Sequence, residues 1–291
     1  MSLIRASHGF PAPPAPEAVP RIAVVPLRHY GRAILASLVL ITVAAVVDLF
    51  ATNKNILWSV VGHFLFDGAV LQGLKVTVEL TGLGMIFGLI MATVLAVMRL
   101  SESRIISSVA WAYVFFFRTV PLIVVLIFIG NAGLFVKSIS IPVPFTHLYI
   151  YSGETQHILT PFIASCVGLS VCGSAYMSEV IRSGLIAVEP GQTQAAKALG
   201  LDRVKTLRYI TGPQALRVIL PPMGNELIGM LKASALVSVI AGGDLLTVTE
   251  AIAGVTYRTI EMMIVATFWY LVIIGGWSVV QLFLERRYAH K

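Results

Sequence analysis

The residues able to do chemistry are few and lie in two settings. Some are charged groups inside long apolar stretches. The others crowd one polar segment, Val188 to Ile210, which reads Val-Glu-Pro-Gly-Gln-Thr-Gln-Ala-Ala-Lys-Ala-Leu-Gly-Leu-Asp-Arg-Val-Lys-Thr-Leu-Arg-Tyr-Ile. Lys75 and Glu79 stand one helical turn apart, as do Glu179 and Arg182, so each pair can meet on a helix face. A charge at mid-membrane costs roughly 2.5–3.5 kcal/mol on insertion scales, so each needs a partner or a purpose. For Glu79 two readings stand: an ion pair with Lys75 near the outer interface, or a carboxylate facing a polar cavity and a cationic substrate group. Glu179 and Arg182 read as a local pair bracing the polar segment. Tyr176 lines a pathway or simply packs. Arg118 and Lys232 satisfy helix-end carbonyls or meet a neighbouring chain.

None of this is catalytic machinery. Gly68 to Gly73 has the first spacing of a phosphate-binding loop, but Leu74 stands where the lysine must be. Cys166 and Cys172, six residues apart on one helix, do not share a face and read as small buried hydrophobes. No nucleophile–base pair or metal-ligand spacing is visible. The chain reads as no enzyme and as holding no cofactor of its own.

The elements that must position these residues are membrane helices. Of 291 residues, 57% are hydrophobic and 12% charged, against about 25% charged in soluble domains, and the mean hydropathy is +0.87. The apolar residues come in blocks near the ~20 residues needed to cross about 30 Å of hydrocarbon. Six spans follow, near 32–51, 69–98, 107–130 (interrupted by Pro121), 159–184, 216–240 and 262–284. They are helical because backbone groups in lipid must be satisfied within the segment. Residues 1–31 carry Pro11, Pro13, Pro14, Pro16 and Pro20 and read as a disordered tail without a cleavable signal. Residues 32–68 form a first span and outer loop, and 69–287 a core containing the polar segment at about 188–213.

Lys and Arg set the expected orientation. With the N-terminus in the cytoplasm, the inside segments hold fourteen of them and the outside segments three, Lys54, Lys137 and Arg258. Both termini are therefore expected inside. The net charge of +7 is a topology signal, and nucleic acid is not needed to explain it.

Within the polar segment, Pro190-Gly191 makes a turn, Gln192 to Leu199 suits a short helix, Gly200 suits its end, and Asp202 can cap a second helix. Ala195, Ala196 and Ala198 present small side chains that allow close approach to a groove in a partner protein. By physics alone, a solvated hairpin that only joins two spans is the favoured reading of the segment.

The segment also resembles the "EAA" loop of ATP-binding-cassette (ABC) importer permeases. Gln194-Ala195-Ala196-Lys197-Ala198-Leu199-Gly200, with Pro213 following, matches that pattern except that its glutamate is Gln194. Phe117-Arg118-Thr119-Val120-Pro121-Leu122, Ala175-Tyr176-Met177-Ser178-Glu179-Val180-Ile181-Arg182-Ser183-Gly184, Pro213-Gln214-Ala215-Leu216-Arg217, and Leu231-Lys232 with Leu236 to Ile240 are similar to the polar amino acid permease branch. Ala233 departs from that branch's usual aspartate. The resemblance spans about residues 70–287, in order.

It implies an all-α polytopic membrane protein with a type I ABC importer (MetI-like) core in a bacterial inner membrane, passing polar or charged amino acids. It implies separate ATPase subunits that bind ATP and Mg, a second permease chain, an extracytoplasmic amino-acid-binding protein and surrounding lipid as partners. Gln194, Ala195, Ala196, Ala198, Leu199, Gly200 and Leu201 would then form the ATPase-coupling helix, with Glu179 and Arg182 supporting it. Glu79, Tyr176 and Lys232 remain the candidates for the substrate path. The rival classes are an ion- or proton-coupled secondary transporter, which needs coupling-ion sites at broken helices, and a membrane scaffold whose loop recruits some other cytosolic protein.

Overall fold

The computed structural model describes residues 30–142 and 149–289, so the Pro-rich tail lies outside the described residues. The chain divides into two contact units, one ending at Lys54 and one running from Asn55 to Lys291. In the first, α1 (Tyr30–Ala51) is an apolar helix of 22 residues, about 33 Å long at 1.5 Å per residue. It is long and apolar enough to cross a membrane.

The second unit begins with α2 (Trp58–Leu65) and the 32-residue α3 (Gly68–Arg99). Asp67 starts α3 by accepting a hydrogen bond from the Ala69 amide at 2.8 Å. Next come α4 (Arg104–Thr119) and α5 (Leu122–Gly130). Pro121 does more here than kink a helix: the two axes differ by 99°. Val120, held out of the helical region by the following proline, is extended at φ −75° and ψ 128°. Five described helices are long and apolar enough to span a bilayer, or six when α4 and α5 count as one broken span.

The segment between α5 and α7 contains a hairpin that its prolines and aromatics obscure in the sequence. Strands β1 (Ser138–Pro142) and β2 (Tyr149–Glu154) pair antiparallel, Ser138 opposite Glu154 and Ser140 opposite Ser152. The period-two run Ser138-Ile139-Ser140-Ile141 is the sequence signal for it. A short α6 (Thr155–Ile158) leads into α7 (Pro161–Ile186). Then come α8 (Pro190–Ala198), α9 (Arg203–Thr206), a π-helical turn over Leu207–Thr211, and α10 (Gly212–Ala233) with Pro221 and Pro222 inside it. A 3₁₀ segment (Ser234–Ile240) follows, then α11 (Leu245–Thr256) and α12 (Thr259–Ala289).

The pairing of α3 with α7 is the backbone of this unit. In lipid, helices associate by close packing, because the hydrocarbon is as apolar as their own side chains. Gly84 and Gly88 supply the close approach. A Cβ at Gly88 would lie 2.5 Å from Met177 Cε and 3.3 Å from the Ser170 carbonyl, and one at Gly84 2.9 Å from Met230 Sδ. Leu80, Leu126, Leu169, Met177, Ile219 and Met230 form the main core around this contact. A second cluster joins Val61, Val70, Leu245, Met262 and Val265 from α2, α3, α11 and α12.

Candidate functional site

The polar segment folds as two short helices about a sharp bend. α8 starts with Pro190 at its first position, where the missing amide costs nothing. It ends at Gly200, whose φ of +77° is a left-handed conformation that a side chain would strain. Asp202 then accepts a hydrogen bond from the Lys205 amide at 2.7 Å and starts α9. Leu199 is left 81% exposed at the bend. Gln194, Ala195 and Ala198 are exposed with it, and Leu201 is partly covered.

Ala196 is different. It is 2% exposed, turned against its own chain, and its carbonyl accepts from the Leu201 amide at 3.0 Å. The sequence reading put Ala195, Ala196 and Ala198 together on a docking surface. At 3.6 residues per turn Ala195 and Ala198 lie about 60° apart and Ala196 about 100° to the other side of Ala195, and of the three only Ala196 is buried.

In α7, two turns before its end, Glu179 is held from two sides. Arg182 reaches its Oε2 at 2.7 Å with Nη2 and 3.0 Å with Nε. Arg99, in the last turn of α3, approaches Oε1 at 3.3 Å. The expected local pair is thus a three-residue bridge between two helices. Farther out, Arg203 at the start of α9 reaches Glu102 Oε1 at 2.7 Å, across the α3–α4 turn. The Arg203–Glu102 contact ties the basic segment to the α3–α4 turn, while the deeper bridge joins α3 to α7.

A cavity of ≈ 320 Å³ opens between α5, α7 and α10. Leu122, Leu169, Met230 and Leu236 make most of its wall apolar, while Tyr176 and Glu226 bring polar groups to it. The guanidinium of Arg118 lies 5.3 Å from the Tyr176 ring centroid, a cation–π distance. The Tyr176 hydroxyl donates to the Arg118 carbonyl at 3.4 Å, near the carbonyl that Pro121 leaves without its helical donor. Arg118 also lies within electrostatic reach of the Glu226 carboxylate. A small, mostly apolar cavity with one carboxylate and one nearby guanidinium can hold a molecule bearing charges of both signs.

Sequence reasoning passed over Glu226. It sits in Gly224-Asn225-Glu226-Leu227, a carboxylate inside an apolar run, and the cost of burying such a group is the signal that finds it. Of the residues expected on the substrate path, Tyr176 lines this cavity, whereas Glu79 and Lys232 are not among its lining residues. Glu79 pairs with Lys75 at 3.6 Å, the two side chains 45% and 65% exposed. Lys232 is exposed in the last turn of α10, where a cation complements the helix dipole.

Comparison with known proteins agrees with this architecture. A family model described as the binding-protein-dependent transport system inner membrane component matches residues 84–290. The arginine transport system permease protein ArgU of Corynebacterium glutamicum is 37% identical over 95% of this chain and 86% of its own length. The nopaline transport system permease protein NocM of Agrobacterium fabrum is 32% identical over 70% of this chain and 81% of its own. Among solved structures, a crystal structure of an amino acid ABC transporter with histidines aligns with a TM-score of 0.63 at 36% identity, covering 75% of this chain and 94% of that one. An inward-facing form of the MetNI methionine ABC transporter, at 18% identity and a TM-score of 0.56, shares the fold. The chain therefore belongs to the family of binding-protein-dependent transport system inner membrane components, as a membrane-spanning permease subunit that is not itself the ATPase.

Proposed function

We propose that this permease carries a cationic amino acid inward across the membrane, past the cavity bounded by Tyr176 and Glu226. The observation that carries the reading is Glu226 itself, a half-buried carboxylate in a membrane helix beside an otherwise apolar cavity. An ionisable group at that depth is costly and is kept for a partner or a substrate. Glu226 would receive the cationic side chain. Arg118, stacked on Tyr176, would meet the α-carboxylate. The arginine permease similar over nearly the whole chain supports the same substrate class.

The loop at about 188–213 would dock separate ATPase subunits through Gln194, Ala195, Ala198, Leu199, Gly200 and Leu201, with Ala196 shaping the helix from within. Those subunits would bind ATP and Mg. A second permease chain would complete the pathway, an extracytoplasmic binding protein would deliver the amino acid, and both termini would lie in the cytoplasm. The Arg99–Glu179–Arg182 bridge would pass movement of the loop into α3 and α7.

The test is uptake by the reconstituted importer in liposomes, with arginine and glutamine compared. Glu226→Gln is expected to lower arginine uptake more than tenfold, as loss of a desolvated charge partner costs about 2 kcal/mol or more. The variant should still assemble with its ATPase. Unchanged arginine uptake would remove the basis of the reading. Uptake driven by an ion gradient without ATP would instead favour a secondary transporter.

A further inference from the structure

A second cavity lies outside the transport path, at the end of the bundle that carries the polar loop. It measures ≈ 420 Å³, and Arg99, Glu102, Arg104, Ser108, Trp111 and Arg182 are among the residues that line it. Its charges do not cancel. Arg99 and Arg182 share one carboxylate, that of Glu179. Glu102 faces the cavity but is held at 2.7 Å by Arg203. No described carboxylate is in ion-pair contact with Arg104. Four arginines therefore stand against two carboxylates.

The local backbone keeps the arginines in place. The Ser107 hydroxyl donates to the Arg99 carbonyl at 3.2 Å, and the Ser103 amide donates to Ser101 Oγ at 3.2 Å, closing the turn between α3 and α4. Ser103 makes no side-chain cap, so the first amides of α4 add their partial positive charge beside Arg104.

The cavity also continues into an apolar strip. The Trp111 ring forms part of its wall and stacks on Phe115 at 5.2 Å and 11°. Phe115, one turn on from Trp111 on the same face, is 57% exposed. A soluble anion has no use for such a strip, whereas a lipid presents a phosphate and an acyl chain together. Basic pockets at helix ends, beside an interfacial tryptophan, suit anionic headgroups.

We propose that this cavity binds the phosphate headgroup of an anionic phospholipid, with Arg99, Arg104 and Arg182 around the phosphate, Ser108 donating a hydroxyl, and one acyl chain along Trp111 and Phe115. The site fixes the α3–α4 turn against α7.

Native mass spectrometry of the full-length, delipidated chain tests it, with phosphatidylglycerol, phosphatidylcholine of the same acyl chains, and inorganic phosphate added in turn. Phosphatidylglycerol is expected to be retained, phosphatidylcholine lost at the same collision energy, and millimolar phosphate unable to displace the lipid. Arg104→Gln should weaken retention about fivefold. Quenching of tryptophan emission by brominated-chain phosphatidylglycerol should fall in Trp111→Phe, a substitution that keeps an aromatic ring and the fold. Equal retention of both lipids, displacement by inorganic phosphate, or unchanged quenching in Trp111→Phe would overturn the proposal.

Discussion

Arg99 Nη2 lies 3.3 Å from Glu179 Oε1, joining the last turn of α3 to α7 two helical turns before α7 ends. The two side chains are 17% and 21% exposed, so water screens the contact only in part. Arg182 takes the other oxygen of the same carboxylate. Removing Glu179 therefore leaves two arginines facing each other without their common partner.

Glu179→Gln is expected to lower the unfolding free energy by about 2 kcal/mol, the scale for stranding a partly buried charged hydrogen-bond partner. Arg99→Gln in that background should cost less than it does alone, with a coupling energy of about 1 kcal/mol. Thermal unfolding of the four proteins of the cycle measures both quantities. Strict additivity would mean that the bridge carries no energy.

Ala195 and Ala196 are neighbours with opposite fates. Ala195→Trp places a bulky ring on the exposed face of α8 and should abolish co-purification of the ATPase while the melting temperature of the isolated permease stays put. Ala196→Trp forces a ring into a closed contact and should destabilise the permease by about 1–3 kcal/mol. Retention of the ATPase by Ala195→Trp would place the docking surface elsewhere.

Glu79 and Lys75 form an exposed i, i+4 pair, and such pairs contribute about 0.3–0.5 kcal/mol. Glu79→Gln should leave the dependence of uptake rate on arginine concentration within about twofold of the parent. A rise in the half-saturating concentration of tenfold or more would return Glu79 to the substrate path.

Asp244 is fully buried where the chain enters α11. It accepts from the Leu246 and Thr247 amides at 3.0 and 3.3 Å and from the Thr247 hydroxyl. Burial pushes its carboxyl above the usual carboxylate range, with the hydrogen bonds opposing only part of that push. The folded chain thus holds the proton more tightly than the unfolded one. Stability from this group is present below the unfolded value of about 3.9 and declines as pH rises through the folded one. Asn mimics the protonated form. The melting temperature of Asp244→Asn relative to the parent should rise with pH across that window, and parallel profiles would contradict it.

Much of this was legible in the sequence because membrane helices are specified locally. Runs of about 20 apolar residues, a proline at 121 and an aspartate at 202 each act through their own backbone, and no distant contact is needed to read them. The hairpin near 138–154 and the helix after Asp244 were harder to see. Prolines and aromatics obscure the alternation in the first, and the second is too short to stand out as a span, although Asp244-Leu245-Leu246 carries a capping signal.

Sequence alone determined which segments cross the membrane, where α8 ends and α9 starts, and that Glu179 and Arg182 meet, since all of these depend on residues within one or two helical turns. Only the tertiary structure decided that Arg99 joins that pair, that Ala196 turns inward, and that Tyr176 and Glu226 share a cavity while Glu79 does not. Those outcomes depend on how α3, α7 and α10 are rotated about their own axes. That rotation is set by close contacts such as Gly88 on Met177, between residues far apart in the chain.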